Sequence, residues 1–589
     1  MSHLSRLLGV SSLVALAAGA AVPAAHAGQA EPVDVQLLSI TDFHGYLQPY
    51  NDAANGQVRL PDGTTLKVGG AAYNAAHLKR LRDGRRNSIL FSVGDNFSGW
   101  PFEVDAFRDE PTVEVLNKLG VRFSTTGNHE LDVSAGFLKD HMMKGRCFGR
   151  VDVDSCFTDS TGRRFRGAKF PFYTGNIVGA RTGKPILQPY NIEWVRGKGG
   201  RKVPVGFIDL TVPDTPVGST SYQPDLRALP LLETANRYAA ELRRRGVKAI
   251  VANVHDGGSA DGAGFDGCKN PSGPVIDFAR QASPDIDAIF TGHWHAGFNC
   301  TLPDPAGNPR PVIEGLNHGR LISEIDLKID PRSGEVLRNG TRAVNHPVTR
   351  DVPPDPEVQR IADYWTARGA KRAAEPLAAQ TGDLTRAPNA HGESTMGDLV
   401  ADAQYWTARR SREGRADLAL VAVKPVKGST AVARDLPFAK GTGDGDADGR
   451  VTFGEAWNAY GYGNPVLTVT VTGEQIHRAL EQQWQGGRFA PFAVSKNVRY
   501  SYDATRPEGD RVAPENVVID GRPLDSSREY RLAALAYTLI GADGYTAFTG
   551  FGDAYRNDLP DHEAFAAYLK TIRTITPAPL DRVRPSSSA

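Results

Sequence analysis

Five short segments place metal-binding residue types directly after runs of apolar and β-branched residues. They are Asp42-Phe-His44, Gly94-Asp95-Asn96, Gly127-Asn128-His129-Glu130, Val254-His255 and Gly292-His293-Trp-His295. Carboxylate, imidazole and amide donors suit divalent ions such as Zn, Mn, Fe, Co or Ni. Any one segment alone reads more readily as a loop or core feature, because Gly-Asp and Asn-His dipeptides are common in turns. All five at the ends of apolar runs is a different matter: loops at the carboxyl ends of strands in an open α/β sheet gather on one edge, where ligands bind.

The elements that must carry these segments are legible as alternating β-branched runs and amphipathic stretches, the pattern of an α/β fold. Strands are expected over Val33–Thr41, Ser88–Val93, Phe123–Thr126, Pro204–Leu210, Ala249–Val254 and Asp287–Thr291. Helices are expected over Ala71–Arg82, Pro111–Leu119 and Leu232–Arg245; the second has Pro at its start and Gly120 just past its end. The Pro- and Asp-rich stretch Asp351–Pro356 and the helical pattern Val358–Ala374 mark a connector, placed at residues 346–375. The catalytic half is then 34–345 and the second domain 376–575, followed by a tail, 576–589. That second half mixes helices (Thr395–Arg410, Gly473–Trp484, His562–Lys570) with strands (Val466–Val471, Tyr530–Ala536), and Gly441–Gly449 reads as a loop.

The order D-x-H, GD, GNHE, H, GHxH resembles the calcineurin-like metallophosphoesterase superfamily, and within it the 5′-nucleotidase family. The resemblance extends to Gly127–Asp132, Glu393–Asp402, Leu467–Gly473 and Gly541–Phe548, and so covers nearly the whole chain after residue 33. It implies a four-layered α/β/β/α catalytic domain followed by an α+β substrate domain. It also implies two divalent transition-metal ions sharing Asp95, one held by Asp42, His44 and His295, the other by Asn128, His255 and His293. His129 would be the catalytic histidine and Asp132 its orienting carboxylate. Two ions ~3.5–4 Å apart can acidify a shared water and clamp an in-line displacement at phosphorus, while a histidine cation can stabilise charge developing on phosphoryl oxygens.

The resemblance further implies that the second domain holds the substrate's base between two aromatic rings, here Tyr462 and Tyr545. The sequence departs from the family where its N-G-G-x-R segment should stand: Val421–Gly428 reads VAVKPVKG, and Asn389-Ala-His-Gly392 replaces an arginine before Glu393. Lysines at 424 and 427 cannot reproduce an arginine's bidentate grip on phosphate. The expected substrate is therefore a small phosphate ester or anhydride, a nucleotide in first place. The alternative is a cyclic 2′,3′-phosphodiester or a nucleic-acid end at the same site, and a non-catalytic, calcium-responsive binding protein is a more distant reading. Asp444, Asp446, Asp448, the Arg450 carbonyl position and Glu455 match D-x-D-x-D-G-x₅-E, which can wrap one Ca²⁺. The other reading is a turn whose acids serve solubility.

Size and charge agree with this outline. At 589 residues two large domains are expected, and a formal net charge of +1 provides no general attraction for polyanions, which disfavours a dedicated nucleic-acid binder. Arg6, the apolar run Leu7–Val22 and Ala25-His-Ala27 read as a signal peptide over 1–27, and no anchor is evident elsewhere, so a secreted or periplasmic location is expected. An exported chain with Cys147, Cys156, Cys268 and Cys300 is expected to carry two disulfides. Three pairings are open; spacing favours Cys147–Cys156, which leaves Cys268–Cys300.

Overall fold

The protein is described by a computed structural model covering residues 31–586, apart from 99–100, 216–221, 263, 425–431, 442–445 and 462. The expected signal peptide, Tyr462 and Asp444 lie outside the described residues.

Two six-stranded sheets form the first half. In the first, Val33–Ile40 pairs in parallel with Ser88–Ser92, which is followed by Ser124–Thr125 and Phe172–Tyr173. In the second, Ala249–His255 lies between Lys202–Thr211 and Ala288–Thr291, again in parallel. Both central strands are buried nearly throughout, and the polar residues they carry, Gln36, Ser39 and Asn253 among them, are buried with them. The sheets meet face to face through Val35, Leu37, Phe91 and Phe123 on one side and Phe207, Val251, Phe290 and Ile313 on the other. Phe91 stacks on Phe123 at 5.1 Å and meets Phe290 edge-on at 5.0 Å. Each such ring contributes ~1.5–3 kcal/mol by leaving water, so the two sheets form one stiff platform. Helices Leu231–Arg244 and Pro274–Gln281 cover the outer face of the second sheet, while Ala71–Arg82 and Glu110–Leu119 cover the first. This is the four-layered α/β/β/α arrangement.

The strands Gly297–Pro303, Pro309–Gly315, Leu321–Ile329 and Arg342–Pro347 complete the sheets and lie beyond the strands expected from the sequence. The helix Pro356–Ala373 is capped by Asp355, whose carboxylate accepts from the amides of Glu357 and Val358. It is no free linker. Trp365 is buried and donates to Glu114 at 2.7 Å, and one apolar cluster runs from Leu38 through Trp365 to Trp457 and Phe565. The second half is built on a five-stranded sheet in which Leu418–Ala422, Glu529–Leu535 and Pro465–Thr472 are neighbours. Residues after 575 correct the expectation of a tail: Val583–Pro585 pairs with Tyr500–Tyr502, and buried Arg582 binds both oxygens of Asp402 at 2.9 Å. A buried guanidinium with a matching carboxylate locks the chain end into the domain. The disulfides are Cys147–Cys156 and Cys268–Cys300. Among the described residues no helix is long and apolar enough to cross a membrane.

One buried acid between the sheets sets a testable pH dependence. Asp209 is fully buried; its Oδ1 accepts from Thr125 at 2.6 Å and Asn253 at 3.0 Å, and Oδ2 has no hydrogen-bond partner. Burial pushes this carboxyl up to about 7, against the pull of those two hydrogen bonds. A raised acid favours folding while it stays neutral, and that contribution is lost as pH rises from its unfolded value near 4 through about 7. Asp209→Asn should abolish this slope. Relative to the parent it should gain roughly 2–3 kcal/mol between about pH 5 and pH 8, read from denaturant midpoints. A constant difference across that range would show that Asp209 is ionised in the fold.

Candidate active site

Asp42 and His44 follow Val33–Ile40, Asp95 follows Ser88–Ser92, Asn128 and His129 follow Ser124–Thr125, His255 ends Ala249–His255, and His293 and His295 follow Ala288–Thr291. All lie at carboxyl ends of parallel strands, so the shared direction of the strands delivers them to one edge. The turns are tight. Asp42, His44, Asp95, His293 and His295 all have φ between 47° and 80°, a region that costs an L-residue about 1–3 kcal/mol and is kept where function or packing demands it. Gly127 is required by close approach, since a Cβ there would lie 2.2 Å from Asp95 Oδ1.

The side chains gather into two groups that could each hold a metal ion: Asp42, His44 and His295, and Asp95, His255 and His293, with ligand atoms in each within 4.8 Å of one another. Asp95 Oδ2 lies 3.0 Å from His255 Nε2 and 4.0 Å from His44 Nε2, between the groups. Asn128 Oδ1 is 3.2 Å from His255 Nε2, and the Nε2 atoms of His44 and His295 are 3.2 Å apart. His44 Nδ1 faces the Phe97 carbonyl at 3.0 Å and His255 Nδ1 the Val93 carbonyl at 2.8 Å. A carbonyl only accepts, so each Nδ1 carries the hydrogen in the neutral ring and each Nε2 keeps a lone pair directed into the site, the usual outer support of a metal-binding imidazole. His295 differs: its Nδ1 lies 2.9 Å from the Asn317 side-chain nitrogen, so no carbonyl dictates its tautomer. The donor set fits divalent metal ions, as the fold implies.

Charges inside the site are strongly coupled. Burial alone would raise Asp95, but His255 and His129 hold it well below the usual carboxylate range. Burial opposes charge on His255, yet Asp95 outweighs it and raises the imidazole to about 9. His44, with burial dominant and Asp95 offsetting it only partly, falls to about 4. His129 Nδ1 donates to Asp132 Oδ2 at 2.7 Å, and the same Asp132 oxygen accepts from Ser98 Oγ. Burial disfavours the His129 cation, but Asp132 and Asp95 together push it up to about 10. A histidine so placed favours the imidazolium form at neutral pH.

Several contributors escaped sequence reasoning. Glu130 is buried, and its carboxylate accepts from the amides of Asp95 (2.9 Å), Asn96 (2.7 Å) and Gly127 (2.7 Å) and from the Asn96 side chain (2.9 Å). It thereby fastens the GD loop to the GNHE loop; its place in the motif was visible, its partners were not. Asn317 and His318 back His295 and His44, and His318 stacks on Tyr46 at 3.5 Å. Arg556, from the second domain, donates to the Asp132 carbonyl. Beside it lies an interdomain cavity of about 960 Å³ bordered by Arg108, Asp132, Trp457 and His562.

The second-domain expectations fare differently. Tyr545 is a correction: the ring is fully buried against Phe492 and its hydroxyl donates to the Ala490 carbonyl, so both faces are enclosed by the core and none is open to a base. In the acidic loop, Asp446 accepts from the Gly441 amide and Asp448 from the Lys440 amide at 3.0 Å. Glu455 caps the helix Phe453–Ala459 by accepting from the Thr452 amide at 2.8 Å, and Arg450 opens the strand before it. The described part is thus a turn leading into a capped helix.

Comparison with known proteins agrees with this geometry. Residues 35–297 match the calcineurin-like phosphoesterase family and residues 372–550 the 5′-nucleotidase C-terminal domain. A cell wall protein of Listeria monocytogenes is 25% identical over 572 residues, which cover 92% of this chain and 67% of that one. A 2′,3′-cyclic-nucleotide 2′-phosphodiesterase/3′-nucleotidase of Haemophilus influenzae is 23% identical over 605 residues, covering 91% and 84%. The solved structure of Haemophilus influenzae NAD nucleotidase superposes with a TM-score of 0.57 at 20% identity, over 95% of this chain and 100% of that one. With strand-end ligand groups of this kind and both family regions in order, the chain belongs to the 5′-nucleotidase family of calcineurin-like phosphoesterases and is a metal-dependent phosphoric ester hydrolase.

Proposed function

We propose that the protein is a secreted, dinuclear nucleotide phosphoesterase of the 5′-nucleotidase type. Asp42, His44 and His295 would hold one cation, Asn128, His255 and His293 the other, and Asp95 both. The observation that carries this reading is the position of Asp95 Oδ2, within 3.0 Å and 4.0 Å of histidines from the two groups. Bound there, two divalent ions would neutralise phosphoryl charge and make water acidic enough to attack phosphorus. The chain's own part is geometric and electrostatic. Glu130 holds the two loops in register, and Asp95 Oδ1 accepts the His129 amide at 2.9 Å, tying the catalytic histidine to the shared carboxylate. Asp132 keeps the proton on His129 Nδ1, so that Nε2–H can donate to a phosphoryl oxygen or to the departing alkoxide. Two disulfides and the leader-like residues 1–27 support export. Zn, Mn, Co and Fe all suit the donor types.

A second reading, hydrolysis of 2′,3′-cyclic phosphodiesters, is favoured by the absence of the family's nucleotide-gripping arginine segment and by the named activity of the Haemophilus relative. Purified protein with Mn²⁺, Zn²⁺ or Co²⁺ should be assayed on adenosine 5′-monophosphate, cyclic 2′,3′-adenosine monophosphate, single-stranded DNA and an aryl phosphate. Turnover of the 5′-mononucleotide supports the first reading. Turnover of the cyclic ester alone supports the second, and activity on DNA alone sinks both.

A further inference from the structure

We infer that Trp294 is a specificity-determining residue whose indole provides a stacking platform for the heteroaromatic base of the substrate. The inference rests on the nucleotide reading above and names the part of the chain that would meet the base. Tryptophan is rarely left half in water, yet Trp294 is 49% exposed. It lies between His293 and His295, whose positive φ angles of 80° and 56° fix the course of the backbone through it.

One side of the ring is bedded. A Cβ on Gly257 would lie 1.9 Å from Trp294 Cδ1 and 2.0 Å from Cγ, and one on Gly273 would lie 3.2 Å from Cζ3. The indole therefore lies along a floor of bare glycine backbone, its five-membered ring over Gly257 and its six-membered end toward Gly273. Any side chain at Gly257 would displace it. Gly257 is two residues beyond His255, so the ring is anchored to backbone adjoining three of the proposed ligands, His255, His293 and His295. An aromatic group held this way loses little rotamer freedom on stacking and receives any π-face, purine or pyrimidine.

Tyr545 of the second domain is enclosed by the core and presents no ring face to a base, which leaves room for an aromatic contact from the first domain. Among the described residues Trp294 is a large, half-exposed aromatic side chain flanked by two of the proposed ligands, His293 and His295. The other strongly exposed tryptophan among the described residues, Trp194, is carried by the strand Tyr190–Arg196 at the far edge of the second sheet.

The test compares the parent, Trp294→Ala and Trp294→Phe on adenosine 5′-monophosphate and on glycerol phosphate, which has no ring. In Trp294→Ala the ratio of the two KM values should shift roughly 10-fold or more against the nucleotide, and Trp294→Phe should recover most of it. A structural role alone would lower kcat or Tm and move both substrates together. Adenosine should also quench tryptophan fluorescence in the parent but not in Trp294→Phe, a readout independent of turnover. If the parent and Trp294→Ala both hydrolyse the nucleotide with KM ratios within about twofold, the role of Trp294 is overturned and the nucleotide reading stands. If the parent hydrolyses glycerol phosphate and leaves the nucleotide untouched, both are overturned.

Discussion

Asp95→Asn is expected to cost the protein at least one bound cation and nearly all turnover while leaving the fold in place. Asp95 is fully buried, and its two oxygens do different work. Oδ1 accepts the His129 amide at 2.9 Å, a bond that an asparagine oxygen can keep. Oδ2 lies between His255 and His44, where only a negative charge can serve two cations at once. Two divalent ions held by the neighbouring groups would repel one another in a low-dielectric pocket, and the Asp95 carboxylate would offset that repulsion. Its loss should release at least one metal per chain and lower kcat/KM on an aryl phosphate by roughly 10³-fold or more, about 4 kcal/mol of barrier. Elemental analysis and circular dichroism on the same sample separate the outcomes. A variant with a full metal complement and activity within about tenfold of the parent would remove Asp95 from the bridging position.

The parts of this site that could be read in advance are those that local chemistry dictates. Largely apolar, β-branched runs buried on both faces, such as Val33–Ile40 and Ala249–His255, announce themselves because apolar residues predominate even though Gln36, Ser39 and Asn253 interrupt them. At the end of such a run the chain must leave the sheet, and a D-x-H or G-H-x-H there has few other uses. The partners that support those ligands come from remote chain and leave no local trace. Asn317 reaches His295 from 22 residues away, and the carbonyls that set the His44 and His255 tautomers belong to Phe97 and Val93. Tyr545 misled for the opposite reason. Its segment matches the family's, but the surrounding aromatic core of Phe492 and Tyr500, not the segment, decides whether a ring faces the cleft. Arg582 shows the same limit at the chain end, where a Pro- and Ser-rich sequence conceals a buried ion pair with Asp402 some 180 residues earlier.

His129→Asn should separate binding from catalysis at this site. The imidazole is not placed among the proposed ligands, so the variant should retain its metals; its loss is that of a cation. Asp132 accepts from Nδ1 at 2.7 Å, and the ring packs edge-on to His44 at 5.2 Å, which holds it against the ligand cluster. Burial by itself would favour a neutral ring, but Asp132 and Asp95 outweigh it and raise the imidazole to about 10. Removing a group of this kind costs roughly 10²–10⁴ in rate, the scale for one positioned proton donor or charge-stabilising contact. Asp132→Asn should fall between the parent and His129→Asn, because an amide can hold the ring but supplies no charge to keep its proton. The two losses should combine to less than their product, since both act through one imidazolium. A double variant no slower than His129→Asn would establish that coupling. Strictly multiplicative losses would instead give the Asp132 carboxylate a separate task, and the hydrogen bond it accepts from Ser98 Oγ would then be the place to look.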